Sequence, residues 1–234
     1  MARGPAPDDL ALFSESELPR MRMAMAELAW LLNRGYAETS ALKLVGDRHE
    51  LRVRQRTAVL RCVCTDAQRE RRRAHRLEPA AIAGQPLALD GFNVLIVVES
   101  ALSGGVVLRG RDGFLRDMAS VHGSYRRGEQ TLSASVAIGE RLASLGPSSV
   151  TWLLDRPVSN SGRLKTALDE LAAERGWAWT IELDYAPDRR LAQFEGVVAS
   201  GDAWILDNSA RFIDLTAAVV AACCPSAWIV DLDG

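Results

Sequence analysis

The chain has no apolar run approaching the roughly 20 residues needed to cross a bilayer. Residues 1–13 lack the basic start and apolar middle of a secretory signal. A cytoplasmic protein with no membrane partner is therefore expected. Cysteine is scarce as well. Cys62, Cys64, Cys223 and Cys224 form a C-x-C and a C-C pair far apart in the sequence, which fits neither zinc-finger spacing nor a secreted disulfide framework. Reduced structural thiols are expected instead.

What is present belongs to a globular protein: 234 residues, 48% hydrophobic and 25% charged. The net charge of -2 hides an asymmetry. Residues 41–76 carry eleven Lys or Arg against four Asp or Glu, a local +7 that leaves about -9 for the remainder. A basic segment joined to an acidic body is expected where one part meets nucleic acid and the other gathers carboxylates.

The periodicity changes along the chain. Residues 14–76 read as a small all-helical module. Met21, Met25, Leu28, Leu31 and Leu32 mark one helix face that ends at Arg34-Gly35. Ser40 caps a second helix closed by Gly46, and a third runs from Glu50 toward Arg73, an outline similar to a helix-turn-helix. In that outline Gln55 and Arg56 could read bases, while the basic helix contacts phosphates without reading sequence. Residues 77–86, with two prolines, read as a linker.

Residues 87–234 alternate strands (87–89, 150–154, 178–183, 197–205, 228–230) with helices (93–100, 132–145, 161–175, 189–195, 212–222). This predicts an α/β domain built on a mainly parallel sheet with helices on both faces. Residues 102–130 look like an insertion in it. In such sheets ligands collect beyond the carboxyl ends of the strands. Asp90 and Asp155 each directly follow a strand, Asp202 comes within the stretch 197–205, and Asp184 and Asp188 flank the exit of the third strand. Carboxylates converging on one sheet edge repel one another unless a cation sits between them. Oxygen ligands suit Mg²⁺ or Mn²⁺. Any one such Asp is more often a turn former or helix cap, and Asp207-Asn208-Ser209 is read as a turn capping the last helix.

The motif Leu89-Asp90-Gly91-Phe92-Asn93 resembles the opening Asp-Gly-x-Asn of PIN-like nucleases, in particular their NYN branch. Pro187-Asp188 and Val197-Val198-Ala199-Ser200-Gly201-Asp202 are similar to that family's acidic helix start and strand-Ser-Asp element. The resemblance implies Asp90, Asp188 and Asp202 as metal ligands, Asp155 as a fourth, and Asn93 as support for the backbone around them. The family often has a further acid on a helix, for which Glu99 is the better candidate and Glu140 the alternative. Asp90, Asp155 and Asp202 would then be the catalytic set of a metal-dependent phosphodiester hydrolase, a ribonuclease rather than a deoxyribonuclease. The whole chain also resembles a prokaryotic family of unknown function, a short helical module followed by this α/β domain.

The run from Asp155 to Lys165 follows a strand and opens a helix. Ser159, Asn160 and Ser161 could cap that helix, and Arg163 and Lys165 add positive charge, which suits a phosphate as well as it suits a well-capped, solvated helix start. The glycine spacing of a Walker loop is absent. In the insertion, His122, Tyr125 and Arg126 could line a groove for single-stranded nucleic acid, although a lone His is more often structural. Asp155-Arg156-Pro157 lacks the Asp-x-Asp pair of a Toprim-like phosphotransfer domain, which counts against that third reading. The alternative outside enzymology is a non-catalytic nucleic-acid-binding or regulatory protein on a degraded nuclease fold. A homodimer is compatible with either.

Overall fold

The computed structural model describes residues 4–118, 128 and 130–233. The helical part comprises α1 (Asp9–Leu12), α2 (Leu18–Leu32), α3 (Glu38–Arg48), α4 (Val53–Cys62) and α5 (Asp66–His75). A 3-10 turn, Pro79–Ile82, leads into β1 (Pro86–Asp90), α6 (Gly91–Leu102), β2 (Val107–Arg109) and β3 (Leu115–Asp117). There follow α7 (Thr131–Leu145), β4 (Ser149–Asp155), α8 (Ser161–Arg175), β5 (Trp179–Asp184), α9 (Pro187–Ala192), β6 (Val197–Ala199), α10 (Ala203–Asn208), β7 (Phe212–Ile213), α11 (Leu215–Cys223) and β8 (Ile229–Asp231). No helix among the described residues is long and apolar enough to cross a membrane.

Five strands form a wholly parallel sheet in the order β5-β4-β1-β6-β7. Every crossover contains a helix, as parallel pairing usually requires, and the one from β1 to β4 also carries β2 and β3 between α6 and α7. Alternate residues of β1 face opposite layers. Leu87 and Leu89 join a core with Trp152, Leu154, Ile138 and Leu168, under α6, α7, α8 and α11. Ala88 joins Leu153, Val198, Leu191 and Ile205 on the other face, under α9 and α10. The α/β architecture with helices on both faces is as expected.

Several local expectations are corrected. The long third helix is two: Thr65 breaks it with a capping box, its hydroxyl accepting from the Gln68 amide while the Gln68 side chain accepts from the Thr65 amide. Gly46 lies within α3 rather than closing it. Residues 197–205 are a short strand and then a helix, because Asp202 caps α10 by accepting from the amides of Trp204 and Ile205. Residues 212–222 begin as β7, and it is Asp214, not the Asp207 turn, that caps the following helix. The last strand, β8, pairs with β2 in a second sheet, β3-β2-β8.

That second sheet carries the helical region. Met21, Leu28, Val45, Leu51 and Val59 pack in one hydrophobic cluster with Val106, Leu108, Val230 and Leu232. Cys62 and Cys64 are buried, Cys223 is exposed and Cys224 half-buried; all four are free thiols.

Candidate functional site

Strand order reverses around β1: the chain adds β4 and then β5 on one side of it, and β6 and β7 on the other. The crevice beyond the carboxyl ends of β1 and β6 is therefore the topological switch point where an open parallel sheet receives ligands. Asp90 is the last residue of β1, and its side chain is almost wholly buried there. Gly91 lets α6 begin at once, since a Cβ at this position would stand 2.5 Å from the Leu154 side chain and 3.0 Å from the Leu153 carbonyl.

Across the crevice, the turn after β6 is fastened to this corner. The Ser200 hydroxyl donates to Asp90 Oδ2 at 2.8 Å and accepts from the Asp202 amide at 3.0 Å. Asn93, in the first turn of α6, accepts the Gly201 amide through its side-chain oxygen at 2.8 Å. Asn93 thus braces the backbone beside Asp90. Gly201 has no room for a side chain, because a Cβ would lie 2.8 Å from the Leu115 carbonyl. Gly201→Ala is therefore expected to push the Ser200–Asp202 turn away from β3, costing about 1–3 kcal/mol by overpacking. Thermal denaturation measures the loss; an unchanged midpoint would mean that the turn relaxes freely.

Asp155 ends β4 in register with Asp184 at the end of β5, and Asp188 stands in the first turn of α9. Asp90, Asp155, Asp188 and Asp202, together with Asn93 and Gly201, line one cleft of about 500 Å³. Four carboxylates predicted from separate stretches of sequence are thereby brought to one place. Their fields overlap. Burial, then the charges of Asp202, Asp188 and Asp155, push Asp90 up to about 7 against the lowering effect of the Ser200 hydrogen bond. Asp155 is raised by burial and by Asp184; Asp188 is raised by partial desolvation and by Asp202 and Asp155.

Among the described residues, no three His, Cys, Asp or Glu side chains are gathered at metal-holding spacing. The donor set nevertheless fits a hard divalent cation, being all oxygen and drawn from separate elements around one crevice.

The opposite wall of the cleft comes from the helical region and the second sheet, with Leu60, Arg61, Val63, Cys64, Arg72, Arg116 and Asp117. Arg61 belongs to the segment expected to contact phosphates, and Arg116 and Asp117 to the insertion expected to line a groove, but no sequence pattern set them opposite the aspartates; that depends on how the two sheets meet. Most of the basic segment is paired within the chain, Arg54 with Asp9, Arg56 with Asp47 and Arg69 with Asp233, and Arg111 pairs with Asp66 of that segment. Arg72 is 1% exposed and binds Asp112 and Asp207. Gln55 is fully buried, donating to the Leu12 carbonyl and Glu17, so it cannot read a base.

Of the expected phosphate-binding run, Asp155 lines the cleft and the residues from Ser159 to Lys165 do not. Asn160 takes a left-handed backbone (φ 69) without a side-chain capping bond. The Ser161 hydroxyl donates to the Arg156 carbonyl, and Lys165 donates to Asp169 and the Ile181 carbonyl. Ser159 and Arg163 are exposed, and none of these five residues lines the cleft. Glu99 is fully buried within α6, where it accepts a 2.5 Å hydrogen bond from Thr131, and does not line the cleft either. Glu140 lies within α7, 3.6 Å from Arg175. His122, Tyr125 and Arg126 fall outside the described residues.

Residues 79–218 match the model of a family described as a domain of unknown function (DUF5616), and residues 20–75 match another described as a protein of unknown function (DUF434). The uncharacterized protein MJ0935 of Methanocaldococcus jannaschii is 29% identical over 147 residues, covering 63% of this chain and 70% of that protein. No solved structure matches.

Proposed function

The chain belongs to the family described as a domain of unknown function (DUF5616), and we propose that it is a metal-dependent phosphodiester hydrolase, a ribonuclease with a PIN-like domain of the NYN type. The observation that carries the proposal is the convergence of Asp90, Asp155, Asp188 and Asp202 on one cleft at the switch point of a parallel sheet. The position of Asp90 at the end of the first strand, with Asn93 bracing the opposite turn, supports the PIN-like reading.

These four aspartates would hold Mg²⁺ or Mn²⁺. A divalent cation bound among them supplies polarisation of the phosphate and a lowered pKa for an attacking water. The remaining roles belong to the chain itself. Ser200 fixes the rotamer of Asp90, Asn93 and the cap at Asp202 hold the turn, and the walls of the cleft narrow the approach of water and substrate.

A non-catalytic nucleic-acid-binding protein is the second reading, favoured by one observation: no three acidic side chains among the described residues already stand at ion-holding spacing. Incubation with single-stranded and structured RNA in Mn²⁺, then in EDTA, separates the two. Cleavage that needs Mn²⁺ and is lost in both Asp90→Asn and Asp202→Asn is the expected result. Equal cleavage by the variants, or none by the wild type, would remove the hydrolase reading.

A further inference from the structure

Two large aromatic side chains stand exposed at the carboxyl rim of the main sheet. Tyr185, 73% exposed, follows Asp184 directly at the end of β5; Trp204, 49% exposed, is in the first turn of α10, two residues after Asp202. Single exposed aromatics are ordinary on soluble proteins. These two bracket the row of aspartates. Passing along the rim from β5 to β4, β1 and β6, one meets Tyr185, then Asp155 with Arg156, then Asp90, then Asp202 with Trp204. Three inter-strand steps separate the two ends, about 14 Å at the usual strand spacing.

The Tyr185 end also carries a cation. The Arg156 guanidinium lies 5.1 Å over the Tyr185 ring and forms no ion pair among the described residues. The Arg156 amide donates to the Asp184 carbonyl at 2.7 Å, and Asp184 accepts the Ala186 amide at 2.8 Å, so the backbone on both sides of Tyr185 is pinned. Such a ring is held in place without being covered. An aromatic face with a guanidinium beside it suits a base stacked next to its own phosphate.

We infer that an extended single-stranded polynucleotide lies along this rim, with one base stacked on Trp204, another on Tyr185 beside Arg156, and the phosphates between them crossing the aspartates. The inference rests on the proposed hydrolase reading for its choice of RNA, and it adds how the strand is held. A duplex is disfavoured, since its bases are already stacked on one another and closed to side chains.

Fluorescence anisotropy with the Asp90→Asn chain in Mg²⁺ tests the arrangement without cleavage. The probes are a fluorescein-labelled single-stranded RNA, the same strand annealed to its complement, and the same strand made abasic. Trp204→Ala and Tyr185→Ala are each expected to weaken binding of the intact strand about ten-fold, as loss of one base stack does. Trp204→Phe should stay within about two-fold of its parent. The abasic strand should bind the parent weakly and respond to neither alanine substitution. Equal affinity of the parent and both alanine variants for the intact strand, equal response with the abasic strand, or no binding at all would overturn the inference. Mn²⁺-dependent cleavage by the wild type is read separately, so that either reading can fail while the other survives.

Discussion

Arg72→Ala is expected to destabilise the protein by about 3–5 kcal/mol, the usual consequence of removing one partner from a buried ion-pair network. Arg72 Nε and Nη2 donate to the two Asp207 oxygens at 2.7 and 2.8 Å, and Nη1 donates to Asp112 at 2.6 Å. Asp112 in turn receives Arg116 at 2.8 and 2.6 Å. Burial alone would raise Asp112, yet the charges and hydrogen bonds of Arg116 and Arg72 overcome it and hold the carboxyl at about 2. Without Arg72, one carboxylate on the far side of the cleft loses its fork and another loses half of its compensation. Arg72→Lys should recover only part of the loss, because a single ammonium cannot reach two carboxylates along separate edges. Arg73→Ala, on the exposed neighbour, should stay within about 0.5 kcal/mol of wild type. Urea denaturation at neutral pH gives all three values. A loss below about 1 kcal/mol for Arg72→Ala would mean that water replaces the guanidinium and the network is dispensable.

Arg72 also marks where reading the chain stops working. A run of arginines looks like a solvated face in any local window, and its partners Asp112 and Asp207 lie 40 and 135 residues away. Nothing in helical periodicity tells a buried, paired Arg72 from an exposed Arg73. The main sheet was legible for the opposite reason. Its strands are apolar runs separated by helix-length crossovers, and that rhythm allows few topologies. The strand-end aspartates were legible with it, because a parallel sheet sends every carboxyl end to one edge. The second sheet was not, since β2 and β3 have three residues each, too few to show a period of two, and nothing in the expected strand 228–230 told that it pairs with β2 instead of joining the main sheet. Nor was the split at Asp202. The same Val-Val-Ala run fits a strand continued to Ile205, and only the capping bonds of Asp202 show that the chain turns there.

Asp90→Asn is expected to be more stable than wild type at pH 8, by as much as about 4 kcal/mol, and nearly equal to it at pH 4. The sign follows from the direction of the shift. Asp90 is raised from 3.8 to about 7, so between those values the folded protein keeps a proton that the unfolded chain has released. Wild-type stability therefore falls as pH rises through that window and levels off above it, where the charge stands buried beside Asp202, Asp188 and Asp155. Asparagine of the same shape removes that charge while leaving an oxygen to accept from Ser200. A shallower slope should remain in the variant from Asp155, Asp188 and Asp214, each raised chiefly by burial. Asp112 contributes in the other sense, and only as pH falls from about 4 toward 2. If the carboxylates hold a cation, Mg²⁺ at a hundred times its dissociation constant should restore about 2.7 kcal/mol to the wild type at pH 8 and much less to the variant. Denaturant curves at pH 4, 6 and 8, with and without Mg²⁺, give the whole pattern. An unchanged pH slope in Asp90→Asn would show that Asp90 is not the buried titrating group. A gain in stability joined to a loss of cleavage would assign the destabilising charge to function, because unfolding could not then account for the lost activity.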